Sequence, residues 1–209
     1  MTGEGTLEFR LLGPIEARLE NRTLPLGGVR QRGLLALLLL RANEVVSRDR
    51  LIDELWRDHA PETAANALAA LVSRLRRVLP ADVLLTRSGG YEASVELDAI
   101  DLFRFQRLAE EGGRALAAGD AAEAADRLRS GLALWRGPPL ADFTYELFAE
   151  PVIRRLAEIR LAAVENHRRL HRCHERRTTW QHTRNVRRSP HCPATAGSTD
   201  RRNRRARSR

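Results

Sequence analysis

The chain of 209 residues contains no lysine; all 36 of its basic residues are arginine. A phosphate loop of the Gly-x-x-x-x-Gly-Lys type is therefore excluded, because nothing can supply its lysine. Gly-x-Ser-x-Gly, which would present a hydrolase serine, is absent as well. Only two cysteines occur, Cys173 and Cys192, both in the last fifth of the chain, so no disulfide framework supports the rest. Long apolar runs are missing too. Leu34 to Leu40, at seven residues, falls far short of the roughly 20 that cross a bilayer. The N-terminus is polar and slightly acidic, without the pattern of a signal peptide. The carboxylates are scattered at ordinary helix-surface spacing, which solvation explains better than general acid–base work. These absences predict a cytoplasmic protein with no catalytic residue, no cofactor and no membrane partner.

Arginine is abundant, and its distribution matters. Residues 1–97 hold 13 Arg and 13 acidic residues, residues 98–167 hold 9 and 12, and residues 168–209 hold 14 and 2. The formal charge of +9 thus comes entirely from the last fifth. A claim that the first half binds nucleic acid has to rest on where its arginines sit. Exclusive use of Arg, with abundant Ala, also points to a G+C-rich coding sequence.

From the N-terminus, Leu7, Phe9 and Leu11 alternate with Glu8 and Arg10, Ile15, Ala17 and Leu19 alternate again, and Thr23 to Leu26 returns, which predicts a small antiparallel sheet. Gly27-Gly28 leads into a helix from Val29 to about Arg41, buried on nearly all sides and stopped by Asn43. Ser47 fits the N-cap of a second helix through Arg57, with Asp49 near its positive end and Leu51, Ile52, Leu55 and Trp56 inside. Pro61 to Pro80 bounds a third helix. Leu68, Leu71, Val72, Leu75 and Leu79 share one face of it. Asn66, Ala70, Ser73 and Arg77 share the other, with Thr63 and Arg74 at its edge. That outer face suits either solvent or a DNA groove: short side chains allow close approach, Asn and Thr can read base edges, and Arg reaches guanine or phosphate. Two alternating segments, Val83–Arg87 and Tyr91–Val95, around Ser88-Gly89-Gly90 predict a β-hairpin.

Sheet, three helices and hairpin in that order are the layout of a winged helix-turn-helix. The Ser-x-x-x-Leu-Ile-x-x-Leu-Trp second helix, the Val-Ser-x-Leu-Arg-Arg-x-Leu end of the third and the Gly-Gly-Tyr wing resemble the OmpR-type DNA-binding domain. The version they resemble is that of the actinomycete antibiotic regulatory proteins, the SARP family. The resemblance covers residues 7–97.

Residues 98–167 read as helices. Leu102, Phe105, Leu108, Ala109 and Leu116 form one stripe, Gly119-Asp120 breaks it, and Ala121 to Leu134 follows. After the stiff turn Trp135-Arg136-Gly137-Pro138-Pro139-Leu140, a third helix runs from about Glu146 to Arg169 with Val152, Ile153, Leu156, Ile159 and Leu161 apolar. The hairpins are TPR-like without a 34-residue register. The Leu-Trp-Arg-Gly-Pro-Pro-Leu segment resembles the bacterial transcriptional activator domain, which follows the winged helix in the same family. Residues 168–209 have Leu170 and Val186 as their only large aliphatics, and such material is expected to be disordered. It departs from the family's pattern after about His167, as a truncation or frameshift would make it. His171, Cys173, His174, His182, His191 and Cys192 lack the spacing of a zinc site and lie among arginines, so no metal is expected.

The expected architecture is mainly α with small antiparallel β-sheets: a winged helix-turn-helix over 1–97, an incomplete TPR-like helical domain over 98–167, and a disordered basic tail over 168–209. The expected DNA-facing set is Thr63, Asn66, Ala70, Ser73, Arg74 and Arg77. Arg48 and Arg50 would reach phosphates, and Arg87 beside the wing tip would approach the adjacent minor groove. The partner is double-stranded promoter DNA, which places the protein at the nucleoid. The family resemblance implies direct repeats bound by two or more protomers, contact with RNA polymerase, and activation of a biosynthetic gene cluster. Two other readings stay open: a truncated regulator that binds DNA without activating, and a helical protein-interaction module.

Overall fold

The structure, a computed structural model, describes residues 6–186, with side chains described through residue 170 apart from Asp58. Three strands open the chain: β1 (Leu7–Arg10), β2 (Glu16–Leu19) and β3 (Arg22–Thr23), paired antiparallel in that order with Phe9 opposite Ala17. The alternation read from the sequence is the cause: Phe9 and Ala17 are fully buried, while their neighbours reach solvent.

Helix α1 (Val29–Leu39) buries every residue from Gly33 to Leu39, so it is the central post of the fold rather than an amphipathic surface helix. Asn43, just beyond it, has a left-handed backbone (φ 66). Its side chain donates to the Val95 carbonyl and accepts from the Val95 N–H, at 2.9 and 3.0 Å, tying the end of α1 to the second sheet. That sheet has the order β4 (Val46–Ser47), β6 (Gly90–Ala93), β5 (Leu84–Arg87), all antiparallel. The hairpin was expected. The two-residue β4, which anchors the wing to the start of the next helix, was not.

Helix α2 (Arg48–Trp56) starts as predicted, with the Ser47 hydroxyl accepting from the Arg50 N–H. Helix α3 spans Ala64–Arg76, shorter at both ends than its prolines suggest. Pro61 to Thr63 forms a separate turn closed by the Ala64 N–H on the Pro61 carbonyl, and residues 77–79 continue as a tighter turn.

Helices α4 (Asp101–Ala117) and α5 (Ala121–Leu132) form an antiparallel pair broken at Gly119, and α6 covers Glu150–Val186. Asp120 caps α5 by accepting the Glu123 N–H. Trp135 meets Phe105 edge-on at 5.2 Å, and the Arg160 guanidinium lies 4.3 Å over its ring, which joins α4, the turn after α5 and α6. Leu161, expected in the apolar stripe of α6, is 61 % exposed. Helix α6 also runs past residue 168, where disorder was expected to begin. Arg, His, Gln and Glu are adequate helix formers, so the lack of aliphatics bears on packing rather than on helix formation. Residues 187–209 and the side chains of the tail's His and Cys lie outside the described residues.

The boundary drawn at 97/98 does not separate two cores. Met1–Leu170 is one compact unit. Phe9 bridges Ile100, and the buried Asp101 carboxylate accepts the N–H groups of Leu11 and Leu12. The turn after α5 lies along the β1–β2 connection: Arg136 N–H donates to Leu12 O, Leu140 N–H to Leu11 O and Ala141 N–H to Gly13 O. Asp142 completes the seam, accepting from Ile15 N–H at 2.8 Å and from the Arg32 guanidinium at 3.0 Å. Leu140 is held left-handed here (φ 51) yet fully buried. A strain of about 1–2 kcal/mol is thus offset by burial and by its bond to Leu11.

Candidate nucleic-acid interface

Helix α3 separates its two faces cleanly. Ala64, Leu68, Leu71, Val72 and Leu75 are buried against the core. Thr63, Asn66, Ala70, Ser73, Arg74 and Arg77 are all exposed, so the six expected residues of this helix form one solvent-facing surface. Thr63 occupies the N-cap position but its hydroxyl caps nothing. Arg77 is the C-cap residue.

The wing stands beside this surface because of two glycines. Gly89 takes φ +80 at the tip, where only glycine is unstrained. Gly90 faces the backbone of β4, and a Cβ there would collide with the Val46 carbonyl. The start of α2 is tied to the same hairpin: the Arg48 N–H donates to the Gly89 carbonyl, and the Arg48 guanidinium lies 5.8 Å from the Tyr91 ring centroid. Arg48 and Arg50 are exposed.

Two arginines have partners within the domain that the sequence does not announce. The guanidinium of Arg87, expected at the minor groove, donates through Nε to Glu92 at 2.7 Å, and this bond with its charge partner raises the Arg87 pKa. Arg87 stays charged, with the Glu92 carboxylate as its counter-charge in the free protein. Arg76 was not singled out, yet it bridges helix and wing: Nε donates to the Leu84 carbonyl at 2.9 Å and Nη2 to the Thr86 hydroxyl at 2.8 Å. In the sequence it is one of three arginines within four positions, and only the tertiary placement of β5 sets it apart.

Among the described residues there is no group of three or more His, Cys, Asp or Glu placed to hold a metal. Nor is any helix among them long and apolar enough to cross a membrane.

Two family models match the chain: "Transcriptional regulatory protein, C terminal" over residues 26–92, and "Bacterial transcriptional activator domain" over residues 100–189. The second match extends past residue 167, where the sequence was read as leaving the family's pattern. Regulatory protein AfsR of Streptomyces coelicolor is 41% identical over 162 residues, covering 77% of this chain and 16% of that protein. Transcriptional regulatory protein MoaR1 of Mycobacterium tuberculosis is 36% identical, covering 75% and 53%. Regulatory protein DnrI of Streptomyces peucetius is 34% identical, covering 76% and 62%. The chain thus spans between about a sixth and three fifths of the length of these relatives. The solved structure of Mycobacterium tuberculosis EmbR, in complex with a low-affinity phosphopeptide, superposes with a TM-score of 0.72 at 34% identity, covering 77% of this chain and 44% of that one. An OmpR-type winged helix followed directly by a transcriptional activator domain, with these relatives, makes the chain a member of the SARP family of regulators.

Proposed function

We propose that the chain binds promoter DNA sequence-specifically and activates transcription of a biosynthetic gene cluster. Helix α3 enters the major groove with Asn66, Ala70, Ser73 and Arg77 toward the bases, and the β5–β6 wing lies against the adjacent minor groove. Asn66 pairs with adenine, and Arg74 or Arg77 engages guanine or phosphate. Arg48 and Arg50 hold phosphates on the wing side. The observation that carries this reading is the division of α3: one face wholly buried, the other made of short side chains and unpaired arginines, braced beside a hairpin through Arg76.

Two or more protomers sit in tandem on direct repeats, and the helical domain is the surface offered to RNA polymerase. A protein acting on chromosomal DNA in this way would sit at the nucleoid. Selection of bound duplex from a random-sequence pool tests the reading. A recovered consensus with half-sites about one helical turn apart supports it, and an unenriched pool rejects it.

A further inference from the structure

We infer that Arg30, together with Arg74, seats the phosphodiester strand that borders the major groove on the side away from the wing. The inference rests on the docking of α3 proposed above.

Beside α3 runs a groove of about 780 Å³ whose lining includes Arg30, Trp56, Pro61, Ala70, Arg74 and Phe148. At about 100° per residue, the α3 residues that line it centre roughly a quarter turn from the Asn66–Ser73–Arg77 line. Arg76, bound to β5, lies roughly a quarter turn the other way. The recognition helix therefore has the wing on one flank and this groove on the other. A helix lying in the major groove has a phosphate strand along each flank. On the wing side, Arg48, Arg50 and Arg76 are at hand. On the other, the cations of the groove are Arg30 and Arg74.

Arg30 is exposed in the first turn of α1, and its guanidinium stands 5.7 Å from the Trp56 ring centroid. Such a stack fixes the position of a planar cation without consuming its N–H donors. Among the described residues neither Arg30 nor Arg74 has an acidic partner, whereas Arg32 is paired with Asp142 and Arg87 with Glu92. Glu54 and Glu146 share the groove. Without the two arginines it would repel a phosphate strand, so the attraction is narrowly dependent on them.

The test is salt-dependent binding of the full chain, by fluorescence anisotropy, to the duplex recovered from the random pool and to a random duplex. Arg30→Gln should weaken both about 3–10-fold at moderate salt, with the slope of log K against log salt shallower by about 0.9. Arg30→Lys keeps the charge and should restore the slope. Ethylation of phosphates on the strand away from the wing should interfere with the wild type at the positions of both arginines, and with Arg30→Gln at fewer of them. An unchanged slope in Arg30→Gln, or an equal loss in Arg30→Lys, overturns the inference. Asn66→Ala separates it from the docking beneath it. If that variant also binds the selected duplex normally, the placement of α3 fails. If Asn66→Ala loses binding while Arg30→Gln keeps it, only the flank assignment fails.

Discussion

The Asp101 carboxylate accepts the backbone N–H of Leu11 at 2.7 Å across ninety residues of chain, and that of Leu12 at 3.1 Å. It is the sole buried charged side chain among the described residues, at 3 % exposure. Asp101→Ala strands two buried N–H groups and should cost about 2–4 kcal/mol in urea unfolding. Asp101→Asn keeps an acceptor and should cost less. Burial pushes the Asp101 carboxyl above the ordinary aspartate value, with the two N–H bonds and nearby Arg136 pulling part of the way back. The folded state therefore holds this proton more tightly than the unfolded state. Its contribution to stability is full below the unfolded pKa and lost as pH rises through the folded one. Asp101→Asn should remove that fall; a wild-type slope retained in the variant would place its cause elsewhere.

The fragment 1–97 should be far less stable than 1–170. It removes Ile100 from beside Phe9, and the two acceptors, Asp101 and Asp142, and the donors that satisfy Leu11, Leu12 and Ile15. A melting temperature lower by about 10 °C or more is expected, and equal melting of the two fragments would show the seam to be energetically idle.

Asn66→Ala should cost about 1–3 kcal/mol on the selected duplex and little on random DNA, because a base contact carries sequence information and a phosphate contact does not. Parallel competition titrations decide it: an equal loss on both duplexes removes Asn66 from base readout.

Glu92→Gln should tighten binding to duplex DNA of any sequence. The change releases Arg87 from its 2.7 Å partner and removes one negative charge from the wing. The salt slope should steepen by up to about 0.9. Weaker binding would mean that Glu92 aims Arg87 at the DNA rather than restraining it.

Arg76→Gln should loosen the wing while leaving α3 in place. Hydroxyl-radical footprints should lose minor-groove protection at the wing while dimethyl-sulfate protection in the major groove persists. Loss of both together would make Arg76 a support of the whole domain.

What was legible in the sequence was whatever local chemistry determines. Ser47 caps α2 because a hydroxyl before an acidic first turn satisfies orphan N–H groups whatever lies elsewhere, and Ser88-Gly89 makes its turn for equally local reasons, whereas the need for glycine at 90 comes from β4. The burial of α1 was readable because Leu34 to Leu40 leaves no polar face to expose. Nothing local marks Asp101 as more than the first residue of α4, since its partners sit ninety positions away. Arg76 could not be told from Arg74 and Arg77 until β5 stood beside it, and two residues of β4 carry too little pattern to announce a strand. In the tail as far as Val186, scarcity of aliphatics signals little to pack and not the absence of helix, and α6 continues through it. For the DNA-facing set, exposure of all six α3 residues is what sequence and structure share; contact with DNA awaits the titrations.

The seam from Arg136 to Asp142 fixes a bearing. With that turn hydrogen-bonded along the β1–β2 connection, the helices after residue 100 cannot swing about a linker, so in the proposed docking whatever orients α3 in the groove also orients them. Sliding an operator by half a helical turn, about five base pairs, would carry those helices to the opposite side of the duplex. Reversing the operator would point them upstream. For a regulator built this way, the spelling of a promoter and the distance to its start site are one instruction.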